Sequence, residues 1–205
     1  MVVKISQDVA QYHMAEMIHG IDCEYYMDHV GIWSDGSFED HLQIVDKVLA
    51  RFSEFDMKCI PLKCGWGVKE TDFLGFWMTP QGIKPRRKRN EAILQMDRPR
   101  SNTDIISFIG SVNYYKYLWP RRAHVLAPLA QLTGRGKFKW DERHQISFDE
   151  MKSITCADAI NMYPDYNQPF HIYTDASDFQ LGATLIQNGR PLAYFSEKLT
   201  SAQKN

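Results

Sequence analysis

No stretch of this 205-residue sequence is long and apolar enough to span a membrane. The opening residues, MVVKISQDVAQ, lack the apolar core of a secretory leader. The expectation is therefore a soluble intracellular chain, in the cytoplasm or nucleus, with no membrane partner. Cysteine is scarce: four residues, Cys23, Cys59, Cys64 and Cys156, with no CxxC pair. Zinc-site spacing is absent, and free thiols in a reducing compartment are the expectation. Surplus charge is absent too. Lys and Arg number 24 against 25 Asp and Glu, so composition gives no global sign of nucleic-acid binding. Any basic surface must be local. The seven histidines include no HExxH pair, no Ser/His/Asp ordering stands out, and Gly65-Trp66-Gly67 is not a phosphate loop. Internal repeats and low-complexity linkers are missing.

What is present is a hydrophobic fraction of 44% and an aromatic fraction of 13%, enough for a packed core in one large domain or two small ones. Val9, Tyr12, Met14, Met17 and Ile18 recur at near-helical spacing, and Gly20 is a plausible stop. Residues 24–33 read as a strand, and Asp35-Gly36 as a turn. Ser37-x-x-Asp40 resembles a capping box that opens a helix with Leu42, Val45, Val48, Leu49 and Phe52 on one face. Residues 57–62 and 72–78 read as short strands, with Gly82 and Pro85 closing this region. Four helical patterns follow between about 87 and 153, punctuated by Pro99, Pro120 and Gly134. The period then changes. Residues 170–175, 181–187 and 191–199 read as strands, and Asn188-Gly189 is a strong hairpin signal. Thr200 could cap a further helix, and a segment ending there suggests truncation. The fold class expected is α+β.

Three places could carry chemistry. Asp28-His29 lies within an apolar, aromatic stretch, YYMDHVGIWS, where a charge is costly unless paired or metal-bound. One reading is a polymerase hairpin turn whose carboxylate holds a metal, since two-metal phosphoryl transfer needs ions about 3.5–4 Å apart. The other is an exposed turn with a polar pair. Asp175, at the end of an apolar strand in Thr174-Asp175-Ala176-Ser177-Asp178, suits either a metal ligand or a backbone-bonded turn. Arg86, Arg87, Lys88 and Arg89 place four cations at a helix start, against the helix dipole. Phosphate contacts would explain them, and a solvated or localisation-like basic face is the alternative. Arg121-Arg122 is a smaller instance with no preference. Tyr114, Tyr115, Tyr117 and Trp119 crowd one helix end, where core packing is preferred over base stacking.

The order of these pieces resembles the polyprotein of gypsy-like long-terminal-repeat retrotransposons, from the late reverse transcriptase palm to the start of RNase H. "YMDH" (26–29) sits where the family has Tyr-x-Asp-Asp. "PLKCGWGVKETDFLGFWMTPQGIKP" (61–85) and "SFIGSVNYYKYLWP" (107–120) are similar to two further family blocks. "APLAQLT", "FKWDERHQISFDEMK" and "FHIYTDASDFQLGATLIQNGRPLAYFSEKLTSAQKN" continue in register. The resemblance implies a palm remnant (1–83), thumb-like helices (84–120), a connection (121–167) and the N-terminal part of an RNase H-like domain (168–205), with the first three strands of that fold. It implies Asp28 and Asp175 as catalytic, Mg²⁺-binding carboxylates. It places Tyr26 beside the primer end, Phe73, Leu74 and Gly75 by the primer grip, and Arg86 to Arg89 on nucleic acid. Its partners would be template-primer, RNA–DNA hybrid and the remaining polyprotein segments.

The departures matter. The family's second Asp is His29 here, and histidine is a poor ligand for Mg²⁺, which prefers oxygen. Neither the upstream palm carboxylate nor the later RNase H acids occur in this sequence. The parent activity implied is RNA-directed DNA synthesis and hydrolysis of RNA in hybrids, with this chain inactive alone. Two alternatives are a non-catalytic nucleic-acid-binding module and a pseudogene remnant without a stable fold.

Overall fold

The computed structural model describes residues 6–134, 136–156, 160–178, 180–200 and 203. The chain forms two compact units, Met1–Leu74 and Gly75–Asn205.

The first unit opens with helix α1 (Ser6–Met17). Of its apolar positions Met14 and Met17 are buried, with Ile18 just beyond, while Val9 and Tyr12 face solvent. The expected single strand over 24–33 is a hairpin: β1 (Glu24–Tyr26) and β2 (His29–Gly31), antiparallel, with Tyr26 opposite His29. The reversal is made by Met27 in the left-handed region at φ 53°. Gln11 Oε1 holds it, accepting from the Met27 amide at 2.6 Å. A short apolar run does not reveal such a turn, because no Gly or Asn marks it.

Helix α2 (Phe38–Glu54) carries the full capping box. The Asp40 amide donates to Ser37 Oγ at 3.2 Å, and the Ser37 amide donates to Asp40 Oδ2 at 2.8 Å. The predicted apolar face is only partly covered. Val48 is buried and Phe52 packs on the Met14–Met17–Ile18 cluster, but Leu42 and Leu49 are 48% and 37% exposed. The strand expected at 57–62 does not form: a 3₁₀ turn, Pro61–Lys63, occupies its end. Pro61 has no amide to give a ladder and suits a first helical position. Strand β3 (Thr71–Phe73) ends the unit.

The strand expected at 72–78 is interrupted by left-handed backbone at Leu74 (φ 50°) and Gly75 (φ 76°). In the second unit β4 (Phe76–Thr79) and β5 (Gly82–Pro85) form a hairpin, with Phe76 opposite Pro85. Gly82 and Pro85, read as closing the first region, are the ends of β5. Gly82 has φ 140°, and a Cβ there would collide with the backbone carbonyl of Asn161. That close approach carries a two-bond bridge, Ile83 N to Asn161 O at 2.7 Å and Asn161 N to Ile83 O at 3.0 Å.

Helices α3 (Arg87–Leu94), α4 (Asn102–Asn113), α5 (Arg122–Gln131) and α6 (Glu142–Cys156) share one core. Trp119, Tyr115, Phe108, Leu129 and Met151 are its large buried members. Phe108 and Phe148 meet at a centroid distance of 4.6 Å. Ile106 on α4 and Ile146 on α6 lie off this core and face solvent. Each helix stops before the residue the sequence offered as its stop: α3 before Pro99, α4 before Pro120, α5 before Gly134.

Strands β6 (His171–Ala176), β7 (Gln180–Gln187) and β8 (Arg190–Lys198) make an antiparallel sheet in that order. Asn188 (φ 51°) and Gly189 (φ 74°) form the tight turn, both left-handed as a type I′ hairpin requires. The sheet is tied to the helices by Tyr194 N to Tyr117 O at 2.9 Å and by Ala123 N to Ser196 Oγ at 3.0 Å. Strand β6 is exposed along its whole length, with Ile172 at 67% and Tyr173 at 62%. The helix expected after Thr200 lies largely outside the described residues. Among those described, no helix is long and apolar enough to cross a membrane.

Candidate nucleic-acid interface and metal carboxylates

Asp28 sits in the β1–β2 turn with its side chain 88% exposed. His29 Nδ1 lies 3.0 Å from Asp28 Oδ1. The run that looked like a strand interior is a tip, so the carboxylate stays hydrated and the burial cost raised by the sequence does not arise. The imidazole occupies one carboxylate oxygen. Tyr26, paired with His29 across the hairpin, is 48% exposed.

Asp175 lies in β6, with Gly182 as its cross-strand partner on β7, and is exposed. The turn bonding expected there is made by Ser177 instead. Its amide donates to Gln180 O at 3.0 Å, and its hydroxyl accepts from Gln180 N at 3.3 Å. Asp175 is left facing solvent on an uncovered strand.

Two Mg²⁺ ions need several oxygen ligands converging on one point. Among the described residues no group of three His, Cys, Asp or Glu side chains could hold a metal ion. Asp28 offers one carboxylate with a nitrogen donor beside it, and Asp175 offers one carboxylate alone. Neither set fits a two-ion centre.

Phe73 meets Trp33 edge-on at 5.6 Å, so its ring is engaged in packing. Leu74, a bulky residue in left-handed backbone, is strained there. Gly75 is held from the other side: a Cβ would lie 2.6 Å from Tyr114 Oη. Tyr115 Oη donates to Gly75 O at 2.7 Å and accepts from the Arg86 amide at 3.2 Å. One buried hydroxyl therefore fixes both the turn before β4 and the start of α3. Sequence reading put Tyr115 in the core but missed this role. The signal available was that a buried tyrosine hydroxyl needs partners.

Arg86 is the N-cap of α3, with no side-chain cap, and Arg87, Lys88 and Arg89 make its first turn. The sequence expectation of cations against the helix dipole is met. Arg87 Nε pairs with Glu91 Oε1 at 2.7 Å while 92% exposed. Arg89 lies 3.7 Å above the Tyr114 ring, which in turn stacks on Phe76 at 5.8 Å. Arg86, Arg87 and Lys88 are exposed and Arg89 is half-buried. Arg122 has a structural place: its guanidinium donates to Asn113 Oδ1 and to Ser196 O, joining α4 to β8. Of the crowded aromatics, Tyr115 and Trp119 are core, whereas Tyr114 and Tyr117 are 42% and 52% exposed.

Comparison with known proteins places this geometry. Residues 140–205 match the RNase H-like domain found in reverse transcriptase. The chain is 32% identical over 185 residues to the retrovirus-related Pol polyprotein from transposon 297 of Drosophila melanogaster, covering 89% of this chain and 17% of that protein. It is 30% identical over 219 residues to the polyprotein from transposon opus of the same organism, covering 98% and 21%. The Tf2-7 polyprotein of Schizosaccharomyces pombe is 26% identical, over 88% of this chain and 14% of its own length. The chain thus spans about a fifth or less of the curated relatives it matches. Among solved structures, the dRH form of the foamy viral protease-reverse transcriptase in complex with double-stranded DNA superposes with a TM-score of 0.85 at 23% identity, covering 96% of this chain and 36% of that one. The foamy viral protease-reverse transcriptase in complex with RNA/DNA hybrid gives 0.82 at 21% identity, covering 97% and 28%. The fold is accordingly that of a partial reverse transcriptase and RNase H. The chain is a homologue of the retrovirus-related Pol polyproteins of LTR retrotransposons, and over residues 140–205 it carries the RNase H-like domain found in reverse transcriptase.

Proposed function

We propose that this chain serves a reverse transcriptase/RNase H polyprotein as a nucleic-acid-holding segment and does not catalyse alone. The parent polyprotein would carry out RNA-directed DNA synthesis and hydrolysis of RNA in RNA–DNA hybrids. Residues 1–83 would be palm, 84–120 thumb-like helices, 121–167 connection and 168–205 the first strands of the RNase H-like fold, with the family match over 140–205 taking in the last part of that connection. Its partners would be template-primer, RNA–DNA hybrid and the rest of the polyprotein.

The observation that carries this reading is the contrast between the two kinds of site. The cations of α3 are presented, one of them stacked on Tyr114 and three exposed. The carboxylates are solitary, Asp28 with His29 at 3.0 Å and Asp175 on an open strand. Phosphate binding needs only positive charge at the surface, whereas metal-assisted phosphoryl transfer needs a ligand cluster. In the intact parent Asp28 and Asp175 would each supply one oxygen ligand to Mg²⁺. Tyr26 would lie beside the primer end, and Phe73, Leu74 and Gly75 by the primer grip. Arg86, Arg87, Lys88 and Arg89 would take phosphates.

Fluorescence anisotropy with a labelled RNA–DNA hybrid, titrated from low to moderate salt, tests this. Binding should weaken steeply, at about 0.9 logarithmic units per phosphate contact for each decade of salt. Replacing Arg86, Arg87 and Lys88 together by Ala should flatten the slope by about two to three units on the same basis. No binding at low salt would overturn the reading.

A further inference from the structure

A second cationic surface lies on the helical part of the second unit, away in sequence from Arg86 to Arg89. It is built by two loops, the segment 96–101 between α3 and α4 and the segment 132–141 between α5 and α6. Asn102 locks them together: its Nδ2 donates to Leu132 O at 2.7 Å and to Gly134 O at 2.8 Å. Asp97, Arg98, Pro99, Arg100 and Phe138 then line a shared cavity of about 460 Å³.

Side-chain direction alternates in both loops. Phe138 and Trp140 turn inward onto the core and stack on each other at 6.1 Å with planes 26° apart. Lys137 and Lys139, in the alternate positions, are exposed. Pro99 is buried, and Arg98 and Arg100 on either side of it are exposed. The Arg98 guanidinium lies 5.2 Å over the Trp140 ring, which orients it while leaving its N–H edge free to donate. None of these four cations has an ion pair among the described residues. Two acids are near. Asp104 is committed as a cap, accepting from the Arg100 amide at 2.8 Å, and its pKa is held low by that bond and by the Ser101 hydroxyl. Asp97 lines the cavity, so the four cations outnumber Asp97 and Asp104 by two.

We propose that Arg98, Arg100, Lys137 and Lys139 form a second phosphate-backbone contact for duplex nucleic acid, read by charge and shape and not by sequence. One arginine held over an aromatic ring beside three exposed cations suits the sugar–phosphate chain. This inference rests on the nucleic-acid reading above and adds a location to it.

The test uses the full chain and a labelled RNA–DNA hybrid in the same salt titration. Changing Arg98, Arg100, Lys137 and Lys139 together to Ala should weaken binding about tenfold or more at moderate salt and reduce the slope by two to four units, at ~0.9 per lost phosphate contact. Lysine at both 98 and 100 should retain most of the slope. Thermal unfolding monitors the fold; if the fourfold variant melts early, Lys137→Ala with Lys139→Ala, which removes no stacking, should still lower the slope by one to two units. Wild-type binding that loses its salt dependence in the Arg86–Arg87–Lys88 variant but is unmoved by the second patch would overturn this inference alone. Absence of wild-type binding would overturn both. Equal weakening with duplex DNA and with hybrid is expected.

Discussion

At the scale of single residues, the hairpin tip decides what the first unit can do. Asp28 is hydrated and bonded to His29, which satisfies one carboxylate oxygen with nitrogen. Adding Asp at 29 restores an oxygen ligand but supplies no cluster, so His29→Asp should leave Mg²⁺ affinity in the millimolar range or weaker by isothermal titration. Tight Mg²⁺ binding by that variant would show a ligand set that the described residues do not contain. Two other residues carry structure out of proportion to their size. Tyr115→Phe orphans the Gly75 carbonyl and the Arg86 amide, and denaturant unfolding should register a loss of about 1–3 kcal/mol. Gly82→Ala puts a Cβ against Asn161 at φ 140° and should cost about 1–3 kcal/mol or more.

At the scale of elements, local chemistry was readable and tertiary cover was not. The Ser37–Asp40 box and the Asn188-Gly189 turn are set by neighbours in sequence, and both form as read. The hairpin at Met27 was one reading of the Asp28-His29 pair but carried no local turn signal, because its left-handed residue is neither Gly nor Asn. Leu42 and Leu49 keep the helical period of α2, but period says which face is apolar, not what covers it. Asp28, Asp175 and Arg86 to Arg89 were legible as candidates from motif order. The Arg98–Lys139 surface was not, because Asn102 brings together loops separated by 30 residues or more. A pH effect also belongs to this scale. Asp141 caps α6, accepting from the Arg143 amide at 3.0 Å and from its guanidinium at 2.8 Å. The Arg143 hydrogen bond pulls the Asp141 pKa down to about 2. A depressed carboxylate stabilises the fold above its unfolded pKa near 3.8, and that contribution is lost as pH falls through about 2. Asp141→Asn should therefore lower the melting temperature at neutral pH, and its difference from wild type should shrink between about pH 4 and 2.

At the scale of the molecule, two compact units carry unlike features. The unit through Leu74 holds the hairpin carboxylate. The unit from Gly75 holds a continuous helical core, both cationic surfaces and a sheet whose β6 strand is open. Open edges with apolar side chains invite association. Ile172→Lys should reduce sedimenting aggregate at high concentration without shifting the melting temperature by more than a degree or two. The relatives are polyproteins, of which this chain matches 17% and 21% in the two from Drosophila. The cations of α3 are presented at the surface, whereas among the described residues no group of three His, Cys, Asp or Glu side chains is placed to hold a metal ion.

The most direct measurement is primer extension on an RNA template by the purified full chain, with Mg²⁺ and all four dNTPs, at a concentration where binding to the same template-primer is saturated. The expected result is a bound complex and no extended primer. Mg²⁺-dependent extension that tracks the protein through purification and disappears in Asp28→Asn would contradict the account.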